Sequence, residues 1–168
     1  MQSRNRSITV HGSLSTVHWV VGWIALSLAI LPSAKAQYVC DGSLWKYVYQ
    51  PERLTFIDSC KTVTGVITKR IWVPDGDEHM SLRLDPGQPG LLNKYNVKNE
   101  DSCLVLEIIC KHIRLEPNTW GYCKGCPNKI AIPAKGAHVR VSGTYVEDTK
   151  KHHGWREIHP VYSIEEIK

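Results

Sequence analysis

Alternation of apolar and polar residues, with a period of two, marks the first structured segments of the chain. Residues 62–73 are rich in β-branched side chains, and residues 80–85 alternate strictly. The apolar face of the first segment consists of Val63, Ile67, Ile71 and Val73. A Pro-Asp-Gly-Asp turn at residues 74–77 separates the two segments. This pattern predicts two β-strands joined by a short loop.

Three further segments also favour strands. Residues 103–111 are almost wholly apolar, which is typical of a strand buried on both faces, and residues 137–146 and 154–167 extend the series. No segment after residue 60 shows a helical period. Residues 38–57 are compatible with a short helix or with an added strand. The pattern therefore predicts an all-β domain of five strands.

Five strands with a long irregular connection between the third and the fourth predict a Greek-key barrel of the OB type. Gly65 and Gly143 lie in strands one and four, where a small barrel must bend tightly. Because residues 112–136 are rich in Pro, Gly and Cys, we expect a disulfide-stapled loop there. The barrel is expected at residues 59–168, after an N-terminal extension at 37–58. An immunoglobulin-like sandwich is the alternative, but it needs about seven strands.

The first 36 residues have the composition of a secretory signal peptide. Arg4 and Arg6 precede an apolar stretch at residues 19–31, and the segment ends in Ala34-Lys35-Ala36. The apolar stretch is shorter than the roughly 20 residues that a membrane span needs. We therefore expect cleavage after Ala36 and a secreted or cell-envelope protein with no stable membrane span. An uncleaved N-terminal anchor is the alternative.

The charge of the chain changes when the leader is removed. The whole chain has 21 Lys and Arg against 16 Asp and Glu, a net charge of +5. The first 36 residues contain Arg4, Arg6 and Lys35 and no acid, so 18 basic and 16 acidic residues remain, a net charge of +2. Strong nucleic-acid binders usually carry a clear basic excess. We therefore do not expect nucleic acid as the partner. We expect a monomer, and the composition does not identify its ligand.

All six cysteines lie after the expected cleavage site, where an oxidising compartment favours disulfides. They are Cys40, Cys60, Cys103, Cys110, Cys123 and Cys126. We expect all six to be oxidised, in a pairing that the spacing leaves open. Cys123 and Cys126 also have the spacing of a redox pair or of half a zinc site. No second ligand pair lies nearby, so loop disulfides are the preferred interpretation.

The segment His-Gly-Trp-Arg-Glu-Ile-His-Pro at residues 153–160 is dense in chemically active side chains. At the strand period of two, His153, Trp155, Glu157 and His159 share one face. A polar face opposite an apolar one is in part a requirement of the fold. Three potential metal ligands on that face exceed this requirement and indicate a functional site.

Four short motifs carry a resemblance to a known family. They are Cys-Lys-Thr-Val-Thr-Gly at residues 60–65, Asp-Gly-Asp-Glu-His at 75–79, Leu-Arg-Leu-Asp-Pro at 82–86 and the segment at 153–160. The chain resembles small exported OB-fold-like proteins of bacteria and archaea, most of which have no assigned function. The resemblance covers roughly residues 53–168. It implies the fold and export, and it implies no activity.

In an OB barrel, the loops between strands one and two and between strands four and five flank one binding face. These loops correspond to residues 75–79 and 148–153, so acidic and imidazole side chains should converge. The expected ligands of a divalent metal ion such as zinc or manganese are Asp77, His79 and His153, with Glu157 or His159 as support. Alternatively, Asp-Gly-Asp forms an ordinary turn and the histidines are solvated.

Three functions compete. A binding module, which the sequence favours, would contact its ligand through Trp155, Arg156, Glu157 and His159. A metal-dependent hydrolase of the thermonuclease type would use Asp75, Asp77, Arg83, Asp85 and Glu157. A structural envelope protein would use none of them. We assign no catalytic residue. An exposed Trp155 would support stacking on a ligand, and a Glu157 open to a cleft would support an enzyme.

Overall fold

The computed structural model describes residue 40, residues 42–112, residue 114 and residues 116–168. The expected signal peptide at residues 1–36 lies outside this part of the chain. Within the described residues, no helix has the length and apolar character that crossing a membrane requires.

Five strands form the architecture, so the prediction of a mostly-β protein is confirmed. They are β1 (Leu54–Trp72), β2 (Glu78–Leu84), β3 (Leu104–Ile108), β4 (His138–Asp148) and β5 (Arg156–Glu166). β1 begins at Leu54 instead of residue 62. The domain boundary expected at residue 58 therefore falls inside this strand.

The helices of the described residues are short. Three are 3-10 helices, at Gly42–Tyr47, Pro51–Arg53 and Pro117–Thr119, and α1 is a six-residue α-helix at Lys94–Asn99. The expectation of no helix after residue 60 is wrong at α1. Asn93 starts this helix with a capping box, since its side chain accepts from Tyr95 N and Asn96 N. A helix of fewer than two turns leaves no periodic signal in the sequence.

The strands form a mixed sheet in the order β1-β2-β3-β5-β4, and β4 pairs back with β1. The pairing of β3 with β5 is parallel, with Val105 opposite Glu157, and the other pairings are antiparallel. β1 makes both of its pairings because it is 19 residues long. Its first part lies along β4 and its last part along β2, with Gly65 opposite both Leu84 and Val139.

The two strand glycines lie where neighbouring backbones approach closely. A Cβ atom at Gly65 would collide with the carbonyl oxygen of Arg83, and one at Gly143 would collide with Ile158 and Pro160. The register of β4 against β5 shifts on both sides of Gly143, which marks a bulge.

One hydrophobic core is enclosed by all five strands. Its members include Val63, Ile67, Leu82, Leu106, Val141 and Ile158. Alternate residues of β3 take part, since Leu104, Leu106 and Ile108 all belong to it. Val105 and Glu107 therefore face the other side of the same strand, where they are also buried. Burial on both faces explains the nearly continuous apolar sequence of β3.

A second, smaller cluster attaches the N-terminal segment to the sheet. Leu44 and Val48 pack against Leu54, Ile109 and Val146. A disulfide between Cys40 and Cys60 ties the same segment to β1. Each fully buried aliphatic side chain contributes about 1.5–3 kcal/mol. The segment before β1 is therefore an integral part of the folded unit.

The structure contains two disulfides among the described cysteines, so the expectation of six oxidised cysteines is wrong. Cys110 bonds to Cys123 and staples the connection between β3 and β4, whereas Cys103 and Cys126 are free. Cys103 precedes β3, and Cys126 packs against the second cluster, beside Ile109 at the other end of that strand. Five strand residues span roughly 17 Å, well beyond the roughly 7 Å that limits a disulfide.

Candidate functional site

A pocket of about 330 Å³ lies where the loop after β1 and the loop after β4 meet. Residues 73–75 line it from the first loop, and Lys150, His153 and Trp155 line it from the second. His79 of β2 forms part of its wall. We call this cavity the loop pocket. The two loops that the sequence predicts to converge both border it.

Charged side chains of both signs line the loop pocket. The basic ones are Arg53, Lys69 and Lys150, and the acidic ones are Asp75, Glu100 and Glu116. Ile71, Met80 and Val105 add apolar surface. This lining suits a polar ligand that has both hydrogen-bond donors and acceptors and a small apolar part.

His79 is the pocket side chain with the strongest electrostatic constraint. It lies opposite Glu107 in the pairing of β2 with β3, and its Nε2 is 2.8 Å from Glu107 Oε1. The side chain remains 22% exposed. Burial disfavours the imidazolium, but the charge and hydrogen bond of Glu107 outweigh burial and raise the pKa of His79 to about 9. His79 therefore presents a positive charge to the pocket at neutral pH.

A chain of buried polar groups continues behind His79. Glu107 Oε2 lies 2.8 Å from His159 Nδ1, and that nitrogen lies 3.0 Å from Glu157 Oε1. Trp155 Nε1 donates to Glu157 Oε2 at 2.8 Å. We call these five residues the buried network: His79, Glu107, His159, Glu157 and Trp155. It runs from the pocket wall through β3 and β5 and returns to the pocket at Trp155.

The two glutamates of the buried network, Glu107 and Glu157, differ in charge state. Burial opposes ionisation of Glu107, but His159 and His79 hold its pKa well below the usual range. Burial also opposes protonation of His159, yet Glu107 raises its pKa well above the usual range. For Glu157, burial and the nearby charge of Glu107 raise the pKa. Glu107 is therefore the anion of the network, held between two imidazolium groups.

His153 and Trp155 form one side of the pocket. Their rings stack with centroids 4.0 Å apart, and Trp155 is only 9% exposed. His153 Nδ1 lies 2.7 Å from Asp148 Oδ2, and Arg53 Nη1 binds the same oxygen at 2.8 Å. The imidazole of His153 therefore covers the indole and is the member of the stack nearer to solvent.

Local backbone chemistry fixes the loop that carries His153. Asp148 Oδ1 accepts from Lys150 N at 2.7 Å, which forms a side-chain turn at the end of β4. Gly154 has a φ of 80°, and a Cβ atom there would lie 2.8 Å from the ring of Tyr95. Only glycine allows α1 to pack this closely on the loop.

Asp77 lies inside the protein, at the base of the first loop, and is 4% exposed. Its Oδ1 accepts from Cys110 N at 2.7 Å. Burial, with the charges of Asp75 and Glu107, raises its pKa to about 7. Its main role in this conformation is to join the first loop to the end of β3.

Two of the three expected metal ligands border the loop pocket, but the structure does not bring all three together. Among the described residues, one group of possible ligand atoms within 4.8 Å of each other comes from Asp77, Glu107 and His159, and all three are buried. A second consists of Asp77, Cys110 and Cys123, whose sulfurs are bonded to each other. Asp77 is the one expected direct ligand in the observed groups, and His159, which was expected as support, belongs to the first of them. Both oxygens of Glu107 already lie against imidazoles.

The expected binding residues divide between surface and interior. Trp155 borders the loop pocket, and Arg156 extends elsewhere, donating from Nη1 to Gly90 O at 2.8 Å. Glu157 and His159 are fully buried, so they support the pocket from behind without contacting its contents. Glu157 is therefore not open to a cleft, and the indole of Trp155 is only 9% exposed, so neither of the two observations that would have supported an enzyme or ring stacking at Trp155 is present.

The residues of the hydrolase hypothesis are not assembled. Asp75 lies before β2 and borders the loop pocket, whereas Asp85 follows β2 and lies 2.8 Å from His138 Nε2. The seven residues of β2 separate them, a distance of roughly 23 Å along a strand. Carboxylates so far apart cannot share a metal ion or a water molecule.

Glu107 is the main site residue that the sequence interpretation missed. It is the single acidic residue in the apolar segment 103–111. A lone acid in a strand that is otherwise apolar needs a buried partner, and this signal was available. The identity of its partners was not, because His79 and His159 lie on other strands.

The sequence was compared with models of protein families and with curated proteins, and the structure with solved structures. No family model, no curated protein and no solved structure matches this chain.

Proposed function

We propose that this chain is an exported binding module built on an OB-type barrel, and that the loop pocket binds a small polar ligand with an acidic group. The acidic group lies against His79. The ligand's remaining donors and acceptors meet the charged side chains of both loops.

Support for the barrel comes from the order of the strands. Each strand has a partner on both sides in the order β1-β2-β3-β5-β4, with β4 returning to β1 and β3 parallel to β5. An OB-type barrel binds its ligands on the face between the loops that follow strands one and four. The loop pocket lies between the corresponding two loops.

Support for export comes from the cysteines and from the N-terminal sequence. Two disulfides, Cys40–Cys60 and Cys110–Cys123, fit an oxidising compartment. A positive start, a short apolar stretch and an Ala-x-Ala ending precede them in the sequence.

One observation carries the choice of an acidic ligand, namely that His79 lines the loop pocket, is 22% exposed and lies 2.8 Å from Glu107 Oε1, an arrangement that favours its cationic form. Its Nε2 is held by Glu107, and its pKa is raised to about 9. The positive charge is positioned before any ligand arrives. A hydrogen bond to a charged group contributes about 1.5–3 kcal/mol, so such a cation can select an acidic ligand.

Binding is better supported than hydrolysis by the state of the three buried acidic residues behind the pocket, which are unsuited to catalysis. Glu107 and Glu157 are fully buried and hydrogen-bonded or paired within the network, and Asp77 bonds to the backbone of Cys110. A general base must reach the proton that it removes. These groups position the pocket wall.

A thermal-shift and calorimetric screen tests the proposal. The probes are glucuronate, acidic amino acids and inorganic phosphate, each beside a neutral analogue of the same size. We expect at least one acidic probe to bind, and we expect His79→Gln to weaken it by about tenfold to a hundredfold. Glutamine keeps a donor for Glu107 but lacks the charge.

His138→Gln is the matched control. His138 also lies 2.8 Å from a carboxylate, that of Asp85, and it does not line the loop pocket. Its substitution should leave binding unchanged. Equal affinity of wild type and His79→Gln, or preference for the neutral analogues, would exclude the proposed role of His79.

A further inference from the structure

A second surface lies beside Gly76 and shares no lining residue with the loop pocket. Lys111, His112, Arg114 and Trp120 line a shallow depression of about 510 Å³. Trp72 at the end of β1 adjoins it, because its ring centroid lies 5.6 Å from that of His112. We call these five residues the aromatic–basic surface.

Two indoles on this surface are exposed to solvent. Trp120 is 61% exposed and Trp72 is 48% exposed. Tryptophan is usually well buried in a folded protein, and its exposure costs the free energy that burial of the ring would supply. Two exposed indoles at the edge of one depression are typical of a surface on which flat rings stack.

Lys111 and Arg114 carry positive charge in the lining of the depression, and His112 lies between them in the sequence. Lys111 Nζ donates to Ile130 O at 2.6 Å, and His112 Nε2 lies 2.6 Å from Glu78 Oε2. Arg114 differs, because its Nη1 is buried and has no hydrogen-bond partner. A buried donor left without an acceptor costs about 1–3 kcal/mol. Because Nη1 is enclosed by protein, a ligand in the depression would accept hydrogen bonds from the other guanidinium nitrogens of Arg114.

The backbone of Lys111 and His112 is held against Gly76. Lys111 N and His112 N both donate to Gly76 O, at 2.8 and 2.9 Å. The stem of Arg114 packs directly over Gly76, where a Cβ atom would lie 2.6 Å from Arg114 Cγ. Little conformational entropy of the Lys111 and His112 backbone would therefore be lost when a ligand binds.

We propose that the aromatic–basic surface binds an acidic glycan. Sugar rings stack on Trp120 and Trp72, and a uronate carboxylate accepts hydrogen bonds from Arg114. Single-stranded nucleic acid would also stack on indoles, but its binding needs a basic groove that follows several phosphates. Here three basic side chains surround one depression, and the chain after residue 36 has 18 basic against 16 acidic residues.

Calorimetric titration with a tetragalacturonate at low ionic strength tests this proposal, with its methyl ester as the uncharged analogue. The wild type should bind the acid form at least about tenfold more tightly than the ester. Trp120→Ala and Arg114→Met should each weaken binding by a similar factor. Methionine keeps an unbranched stem over Gly76 and removes the guanidinium group.

Matched controls come from exposed residues elsewhere. Phe56→Ala removes an aromatic ring that is 54% exposed, and Arg83→Met removes an exposed guanidinium group. Both should bind as the wild type does. The same titrations in the His79→Gln background weaken acid binding in the loop pocket, and the effects of Trp120→Ala and Arg114→Met should persist there. Equal binding of acid and ester, unchanged binding by both surface variants, or tighter binding of oligothymidine would overturn the proposal. Thermal melting of each variant confirms that it is folded.

Discussion

At the scale of single residues, Glu107 holds the site together. It is fully buried, and its two oxygens lie 2.8 Å from imidazoles on β2 and β5. A buried ion pair adds little stability by itself, because desolvation offsets the attraction. Removing one partner is costly, since the charges left behind have no compensation. The position of His79 in the pocket therefore depends on a carboxylate that no ligand reaches.

This dependence predicts that the same Glu→Gln substitution lowers the free energy of unfolding by different amounts at Glu107 and at Glu157. Glu107→Gln should lower the free energy of unfolding by about 3–5 kcal/mol, because it leaves buried imidazolium groups without their anion. Glu157→Gln should cost only about 1–2 kcal/mol, because the pKa of Glu157 is raised and an amide resembles its protonated form. Urea unfolding at neutral pH measures both. Equal costs would show that the charge of the network is not concentrated on Glu107.

The raised pKa of His79 also predicts that the stability of the fold depends on pH. This pKa is about 9 in the folded protein and about 6.5 in an unfolded chain. A raised pKa means that protonation stabilises the fold, fully below about pH 6.5, and that this stabilisation is lost as the pH rises through about 9. The stability difference between wild type and His79→Gln should therefore be larger at pH 6 than at pH 10. Urea titrations at both values measure it, and a constant difference would contradict the raised pKa.

At the scale of elements, the strands were predictable and their ends were not. Alternation located all five strands, because a half-buried strand must alternate and β3, buried on both faces, must be apolar. The early start of β1 at Leu54 was missed because its first residues are mostly exposed and carry no burial pattern. The short helix α1 was missed because its start depends on the side chain of Asn93.

The loops after β1 and β4 show a similar limit of prediction from sequence, because their positions could be predicted and the orientation of their side chains could not. Their shared position follows from the order of the strands, so the sequence could place His79 and His153 near one another. The rotation of each side chain could not be predicted, because it depends on buried acids elsewhere. His79 turns its Nε2 toward Glu107 and His153 turns its Nδ1 toward Asp148. Among the described residues, neither imidazole joins Asp77 in a group of possible ligand atoms within 4.8 Å of one another.

At the scale of the whole molecule, the N-terminal segment and the connection between β3 and β4 are both attached at the periphery of the sheet. The segment before β1 packs through Leu44 and Val48 and is tied by the Cys40–Cys60 disulfide. The connection between β3 and β4 is tied by Cys110–Cys123. A disulfide that closes about 15 residues contributes about 3 kcal/mol in the chain-entropy account. Both bridges stabilise peripheral segments around a core that the strands already form.

This arrangement predicts the thiol content of the mature protein. Secreted material should begin at Gln37, and in denaturant without reductant it should show two reactive thiols, those of Cys103 and Cys126. In the native state Cys126 should react slowly, because burial raises the pKa of its thiol, and Cys103 should be protected because it is 1% exposed. N-terminal sequencing and a thiol titration with Ellman's reagent measure both. Absence of thiols in denaturant would contradict the free state of Cys103 and Cys126 in this structure.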